Sequence, residues 1–254
     1  MTWDPDLYLR FSDHRLRPAV DLLARVPPVE ATEVVDLGCG TGNVTRLLAD
    51  RWPEAHVVGV DSSPEMLVKA RAELPDLEWV EGDVAEWEPP GPVDVVASNA
   101  TLQWLDDHDT LFPRLVGWLR PGGVLAVQMP ASFDEPSHAR AFEVARAGPW
   151  HEKYERLRDR PVADARQYLE WLAPRVADLD VWTSTYVHLL EGEDPVVAWT
   201  SATLLRPLVG PLDEGEREAF LGHYRELMAE AYPPLPDGRT PFPFRRLFIV
   251  ATAP

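Results

Sequence analysis

The 254-residue sequence predicts an α/β fold: a doubly wound, seven-stranded, mostly parallel sheet with a helical cap inserted before the last strand. Three observations carry that prediction. Over residues 31–130, short apolar runs alternate with helical stretches at close spacing, which is the rhythm of βαβ units with right-handed crossovers. The first apolar run ends in the glycine turn of "VVDLGCGTGN" (34–43), where a buried strand of such a sheet opens onto a ligand. After Pro130 the rhythm changes, and residues 190–244 separate the last two strands by far more chain than a hairpin needs.

In order, "PAVDLLARV" (18–26) reads as a helix with Pro18 in its first turn, where a missing N–H does no harm. "EVVDLG" (33–38) is the first strand and "NVTRLLADRW" (43–52) the helix returning from it. "HVVGVD" (56–61) is the second strand, followed by the helix "SPEMLVKARAEL" (63–74), with Ser63 placed to cap it and Pro64 at its first position. "LEWVEGD" (77–83) is the third strand, with Asp83 at its end, and "VDVVASN" (93–99) the fourth; "HDTLFPRLVGWL" (108–119) is the next helix. "RPGGVLAVQMP" (120–130) is a turn and a fifth strand. Residues 131–176 hold helical stretches broken by "GPW" and "RDRP". "LDVWTSTYVHLL" (179–190) and "RRLFIVATA" (245–253) are the last two strands. Between them, "PVVAWTSATLL" (195–205) and "EGEREAFLGHYRELMAEAY" (214–232) read as two helices, and the Pro-rich "PPLPDGRTPFPF" (233–244) as the lead-in to the final strand.

Composition narrows the function. The chain is 45% hydrophobic and 26% charged, with a formal net charge of -18, which disfavours nucleic acid and an anionic membrane surface as partners, since both call for a basic face. No apolar run reaches the ~18 residues of a membrane span. The N-terminus has neither a basic n-region nor an apolar h-region, and one cysteine, Cys39, excludes an intramolecular disulfide framework. These features point to the cytoplasm. The histidines are scattered and no Cys/His cluster has ligand spacing, so no metal is expected. The acidity also sets a condition: an anionic substrate needs a local cluster of Arg or His to hold it against the long-range field.

The glycine turn decides the cofactor. A dinucleotide fingerprint is Gly-x-Gly-x-x-Gly with a pyrophosphate on the helix N-terminus. Here Gly38, Gly40 and Gly42 are spaced Gly-x-Gly-x-Gly, and Asp36 lies two residues before the first. A carboxylate is a poor neighbour for a pyrophosphate and a good one for a ligand bearing an ammonium. S-adenosylmethionine has an ammonium, a sulfonium and no phosphate. Asp61, nineteen residues after Gly42, suits the ribose hydroxyls, and Asp83 suits the adenine amino group. A strand-end aspartate alone is usually a cap or turn residue; three of them in register with a glycine turn form a constellation. Cys39 has no recognisable basic neighbour and reads as a small turn residue.

"VVDLGCGTGN", "GVDSSPEML", "EGDV" and "LRPGGVLAV" together resemble the motifs of class I, Rossmann-like methyltransferases that use S-adenosylmethionine and release S-adenosylhomocysteine. "WDPDLYLRFSDHRLRPAVDLLARV", "SNATLQWLDDH", "VLAVQMP", "WTSATLLRPL" and "FRRLFIVA" extend the likeness over nearly the whole chain, to the trans-aconitate 2-methyltransferase family. The resemblance implies O-methylation of one carboxylate of a small polycarboxylate to a monomethyl ester. It implies a single methyltransferase domain over 1–254, with an N-terminal substrate-side segment (1–30), a cofactor-binding core (31–130), a helical segment (131–176) and the cap insertion (190–244). Asp36, Gly38 and Gly40 would line the methionine end, Asp61 with Ser62 the ribose, and Met66, Asp83 and Val84 the adenine, with Asn99 under the methyl group.

A carboxylate acceptor has a pKa near ~4 and is already ionised at neutral pH, so no general base is expected. Catalysis then rests on alignment and on gripping the other carboxylates, for which Arg is suited. The candidates are Arg10 and His14 near the N-terminus, Arg206 in the cap, and Arg245 and Arg246 entering the last strand. Arg206 and Arg246 stand out because they lie in or beside segments that a minimal methyltransferase lacks. Tyr8, Gln103, Trp104, Tyr186, Trp199 and Tyr224 are candidate walls or donors; His188 and His223 read as half-buried polar residues. Two alternatives remain: the same chemistry on another acid, a phenol, an amine or an activated carbon, and a domain that binds the cofactor for sensing without turnover.

Overall fold

Valine runs make the centre of the sheet. Val34, Val35 and Leu37 of β1 (Glu33–Leu37), Val57, Val58 and Val60 of β2 (His56–Asp61), and Val95 and Val96 of β4 (Val93–Asn99) are all buried, as parallel strands covered on both faces must be. The computed structural model describes residues 16–155, 161–201 and 204–254. With β3 (Glu78–Glu81), β5 (Leu119–Pro130), β6 (Asp178–Leu190) and β7 (Thr240–Thr252), these strands form one sheet in the order β3-β2-β1-β4-β5-β7-β6. The pairs β1–β2, β1–β4, β2–β3 and β4–β5 are parallel. Strand β7 runs antiparallel to β5: Ala131 N–H bonds the Arg245 carbonyl at one end, and Ala253 N–H bonds the Gly123 carbonyl at the other. Strand order reverses between β1 and β4, so ligands are expected beyond the carboxyl ends of those two strands.

The helices start where their caps dictate. The first, α1 (Arg17–Arg25), carries its proline in the first turn. Helix α2 (Asn43–Arg51) follows the glycine turn, and α3 (Pro64–Glu73) is capped by Ser63, whose Oγ accepts from Met66 N–H. Helix α4 (His108–Gly117) links β4 to β5. Beyond β5 come α5 (Pro136–Ala147) and α6 (Ala165–Leu172), the latter opened by a reciprocal Asp164–Gln167 capping box. Between β6 and β7 lie α7 (Pro195–Ser201), α8 (Leu205–Val209) and α9 (Glu214–Ala231), the last opened by an Asp213–Glu216 box. No helix among the described residues is long and apolar enough to cross a membrane.

Three sequence readings need correction. The last strand begins at Thr240, not at Arg245: buried Phe242 and Phe244 alternate with half-buried Pro241 and Pro243, a strand period written in residues that also spell a turn. Strand β5 stops at Pro130, so this stretch of β7 runs past its end and the prolines remove no rung shared with β5. The single helix read over 195–205 is instead a helix over Pro195–Ser201 and a separate one starting at Leu205, with residues 202 and 203 outside the described residues. The hydroxyls of Thr200 and Ser201 take the carbonyls of Val196 and Val197 four residues back, which loosens a helix at that point. Strand β3 ends at Glu81, and Asp83 lies beyond it in a turn that its own carboxylate closes by accepting from Ala85 N–H.

The chain divides into two compact units. The first takes the described residues within Met1–Met129, Pro161–Ser184 and Arg246–Pro254; the second takes those within Pro130–Arg160 and Thr185–Arg245. The second thus joins the helical stretch after β5 to the insertion before the last strand. Its core is aromatic, built on Trp150, Phe220, Tyr224, Tyr232, Phe242 and Phe244 with Trp199 packed against it.

Candidate functional site

The glycine turn is draped over the end of β2. Gly38 and Cys39 N–H both bond the Val60 carbonyl, at 2.8 and 3.0 Å. Gly38 has φ +74°, and a side chain there would lie 2.1 Å from the Thr101 side chain, so no other residue fits. Gly40, at φ +56°, is open in the direction a side chain would take, with no atom of the described residues within 4 Å. That leaves its backbone bare for a ligand to approach.

Asp61 clamps this turn from the next strand. Its Oδ2 accepts from Gly40 N–H at 2.8 Å and its Oδ1 from Ser63 N–H at 2.9 Å. A carboxylate has about four acceptor positions, so each oxygen keeps capacity for a further donor. Asp36 is buried beneath, with Oδ2 accepting from the Thr45 hydroxyl at 2.7 Å. Burial pushes its carboxyl up to about 7; the Thr45 bond opposes the shift and the Asp61 charge adds to it. A cationic ligand here would draw the proton off, whereas a phosphate would not. Cys39 is buried, and burial together with the charges of Asp36 and Asp61 raises its thiol far above the usual range, so it is no nucleophile.

At the end of β4 the backbone is strained. Ala100, directly after Asn99, has φ 58°, a left-handed conformation costing roughly 1–3 kcal/mol for a residue with a side chain. Two bonds hold it: Ala100 N–H to the Gln128 carbonyl at 2.8 Å, and Gln103 Nε2 to the Ala100 carbonyl at 2.6 Å. Thr101 Oγ1 then donates to the Gly38 carbonyl at 3.2 Å, tying this turn to the glycine turn. Below it, buried His108 donates from Nε2 to the Leu102 carbonyl at 2.9 Å and accepts at Nδ1 from Tyr168 Oη at 2.6 Å. The carbonyl, which only accepts, fixes that tautomer. One strand over, Gln128 is the register partner of Asn99, and its Oε1 accepts from Arg246 Nη1 at 3.3 Å.

Among the residues singled out from the sequence, Asp36, Gly38, Gly40, Asp61 and Asn99 are thus brought to the switch point, with Gln103 and Arg246 bonded into the same cluster. Ser62, Met66 and Asp83 are exposed along the edge beside β2 and β3, and Val84 is buried. Trp104 is largely exposed. In the second unit, Tyr186 is buried, Trp199 stacks on His188 with ring centroids 4.6 Å apart, and Arg206 and His223 are exposed. Tyr224 is buried and its hydroxyl donates to the Ser137 carbonyl at 2.8 Å. Arg245 bonds the Ala131 carbonyl and pairs with Asp134. Tyr8, Arg10 and His14 lie outside the described residues. The sequence reading missed Gln128, Ala100 and the His108–Tyr168 support. Gln128 left one signal, an amide inside the otherwise apolar run "VLAVQMP".

Comparison with known proteins agrees with this geometry. The profile of the methyltransferase-domain family matches residues 34–123. A trans-aconitate 2-methyltransferase of Azoarcus sp. is 50% identical, over 98% of this chain and 98% of that protein. The trans-aconitate 2-methyltransferase of Escherichia coli is 45% identical, over 98% of this chain and 97% of that one. Among solved structures, a Haemonchus contortus phosphoethanolamine N-methyltransferase in complex with S-adenosylhomocysteine superposes with a TM-score of 0.55 at 18% identity, covering 93% of this chain and 52% of that one, a likeness of fold.

Proposed function

The chain belongs to the trans-aconitate 2-methyltransferase family, and from that premise we propose that it transfers a methyl group from S-adenosylmethionine to one carboxylate of trans-aconitate, leaving the monomethyl ester and S-adenosylhomocysteine. One observation carries the substrate: the likeness to relatives of that name runs the length of the chain, far beyond the residues matched by the methyltransferase domain. A single cysteine, buried and with no partner cysteine, is consistent with the reducing cytoplasm proposed as its setting.

The residues present fit the cofactor. The bare face of Gly40, the spare acceptor positions of Asp61 and the buried carboxyl of Asp36 form a cradle with no basic side chain among its members, suited to a ligand with an ammonium and two ribose hydroxyls. When bound, S-adenosylmethionine supplies an electrophilic methyl group on a sulfonium. Asp36 and the glycine turn would hold its methionine end, Asp61 and Ser62 its ribose, and Met66, Asp83 and Val84 its adenine. Asn99 would lie beneath the methyl group. The acceptor carboxylate is ionised at neutral pH, so the chain's task is to orient and desolvate it rather than to remove a proton. Arg246, bonded to Gln128 at this end of the sheet, would face the acceptor.

The test is one incubation with S-adenosylmethionine and a panel of di- and tricarboxylates, read by mass spectrometry. The expected product is a trans-aconitate monomethyl ester with matching S-adenosylhomocysteine, formed faster than from the other acids. Tight cofactor binding with no ester from any acid would overturn the acceptor and send the search to phenols and amines.

A further inference from the structure

We propose that Gln128 is a specificity-determining residue of the acceptor site: its Nε2 donates to a non-reacting carboxylate of the acceptor while its Oε1 holds the guanidinium of Arg246 beside that carboxylate. The inference rests on the carboxylate reading above and deepens it.

Gln128 is completely buried in β5, between Val127 and Met129, which are as buried as it is. An apolar residue would fill that place without loss. The amide is there at a desolvation penalty, and its hydrogen bonds tell what it does. Arg246 Nη1 lies 3.3 Å from one end of it. A guanidinium only donates, so the end facing Arg246 must be the oxygen. The Nε2 group is therefore turned away from Arg246, and it is buried with no hydrogen-bond partner among the described residues. A buried donor without an acceptor is a feature that needs a cause, and the partner it lacks is an acceptor oxygen. The neighbouring guanidinium makes an anionic oxygen the best fit, and a carboxylate is the anion that this acceptor brings.

The opposite polarity is found one strand away. Gln103 faces the Ala100 carbonyl, so the end it uses must be Nε2, and its Oε1 is left buried without a donor among the described residues. The β4 side thus offers an acceptor, suited to the cationic end of the cofactor, and the β5–β7 side offers donors, suited to an anion. Gln128 stands at the boundary: its backbone carbonyl fixes Ala100 in the strained turn after Asn99, and its side chain fixes Arg246. Two buried amides of opposite orientation sort the two charges of the reaction to opposite sides of the methyl group.

Gln128→Met keeps the size of the side chain and removes both the donor and the acceptor. Calorimetric titration of trans-aconitate into the protein saturated with S-adenosylhomocysteine reads the effect directly. The expected loss of affinity is roughly 10- to 100-fold, the usual range for a hydrogen bond to a charged group. The Kd for S-adenosylhomocysteine alone should stay within about twofold, and KM for trans-aconitate should rise while kcat holds, a split that a merely structural defect would not produce. Gln128→Glu should be the worse variant, because it adds a charge that neutralises Arg246 and repels the acceptor. Should Gln128→Met fail to bind S-adenosylhomocysteine, Gln128→Glu decides alone. Unchanged trans-aconitate affinity in a variant that still binds S-adenosylhomocysteine overturns the role of Gln128 and leaves the family chemistry standing. A wild-type protein that esterifies no acid overturns the carboxylate reading itself, and this inference with it.

Discussion

Polar side chains are buried in different ways at the strand ends of the first unit and around Ser137 in the second. At the strand ends of the first, Asn99 Oδ1, Gln103 Oε1 and Gln128 Nε2 are buried with no hydrogen-bond partner among the described residues. In the aromatic core of the second, several polar side chains are bonded to backbone or to one another. Tyr224 Oη donates to the Ser137 carbonyl, Tyr232 Oη accepts from Ser137 N–H, and Tyr154 Oη donates to the Leu208 carbonyl. His138, its imidazole pushed down to about 4 by burial, pairs through Nδ1 with the Ser137 hydroxyl. A closed network stabilises a fold and asks for nothing further. An open one leaves room for a partner that is not protein. On the proposed reading, the difference separates residues that hold shape from residues that would meet a ligand, where residue type alone does not.

Asp61 offers the largest expected effect on the open side. Asp61→Ala removes the clamp on Gly40 and Ser63 together with the proposed ribose acceptor. Losing two charge-assisted bonds should weaken S-adenosylhomocysteine by about 100-fold, or ~3 kcal/mol. Calorimetry measures it, and the aromatic near-ultraviolet circular dichroism of the second unit should not change. A Kd within threefold of wild type would remove Asp61 from the cofactor site.

Asp36 gives the next effect, through pH. Its folded pKa of about 7 lies above the unfolded value of about 3.9, so the fold favours the protonated carboxyl. Its contribution to stability is therefore fully present below pH ~4 and is lost as pH rises through 7. A ligand ammonium favours the ionised form instead. Binding of S-adenosylhomocysteine should release a proton below pH 7, and the Kd should be about tenfold weaker at pH 6 than at pH 8. Asp36→Asn should flatten that dependence. An equal wild-type Kd at the two pH values would show that no ligand cation approaches Asp36.

How much of this was legible in the sequence follows from distance along the chain. Strands β2 and β4 and the Ser63 cap can be read to the residue, because period, cap and turn are all local signals. The placement of Asp36, Gly38, Gly40 and Asp61 at the switch point is legible for the same reason: each sits at or beside a strand end within a short stretch. The start of β7 was hidden because Pro241 and Pro243 spell a turn, and only the end of β5 at Pro130 makes them acceptable in a strand. The Gln128–Arg246 pair spans 118 positions and the His108–Tyr168 pair spans 60. No local pattern announces either. Arg246 was visible as a cation before the last strand; its amide partner was not. Tyr224 is an acceptor-site candidate by type, and in the structure its hydroxyl donates to the Ser137 carbonyl.

Tyr224 therefore makes the finest test of the comparison. Its hydroxyl is buried, donates to the Ser137 carbonyl at 2.8 Å and lies 3.4 Å from the Thr200 hydroxyl. Tyr224→Phe keeps the ring in the aromatic core and removes one oxygen. If the network is structural, the loss is that of an ordinary buried hydrogen bond, about 1 kcal/mol of stability, readable as a small drop in the denaturation midpoint. KM for trans-aconitate should then stay within about twofold, since no group of the acceptor is expected to bond this oxygen. A tenfold rise in KM with stability unchanged would place Tyr224 among the acceptor's ligands. The closed network would then be as functional as the open one, and satisfaction of hydrogen bonds would no longer distinguish the two units.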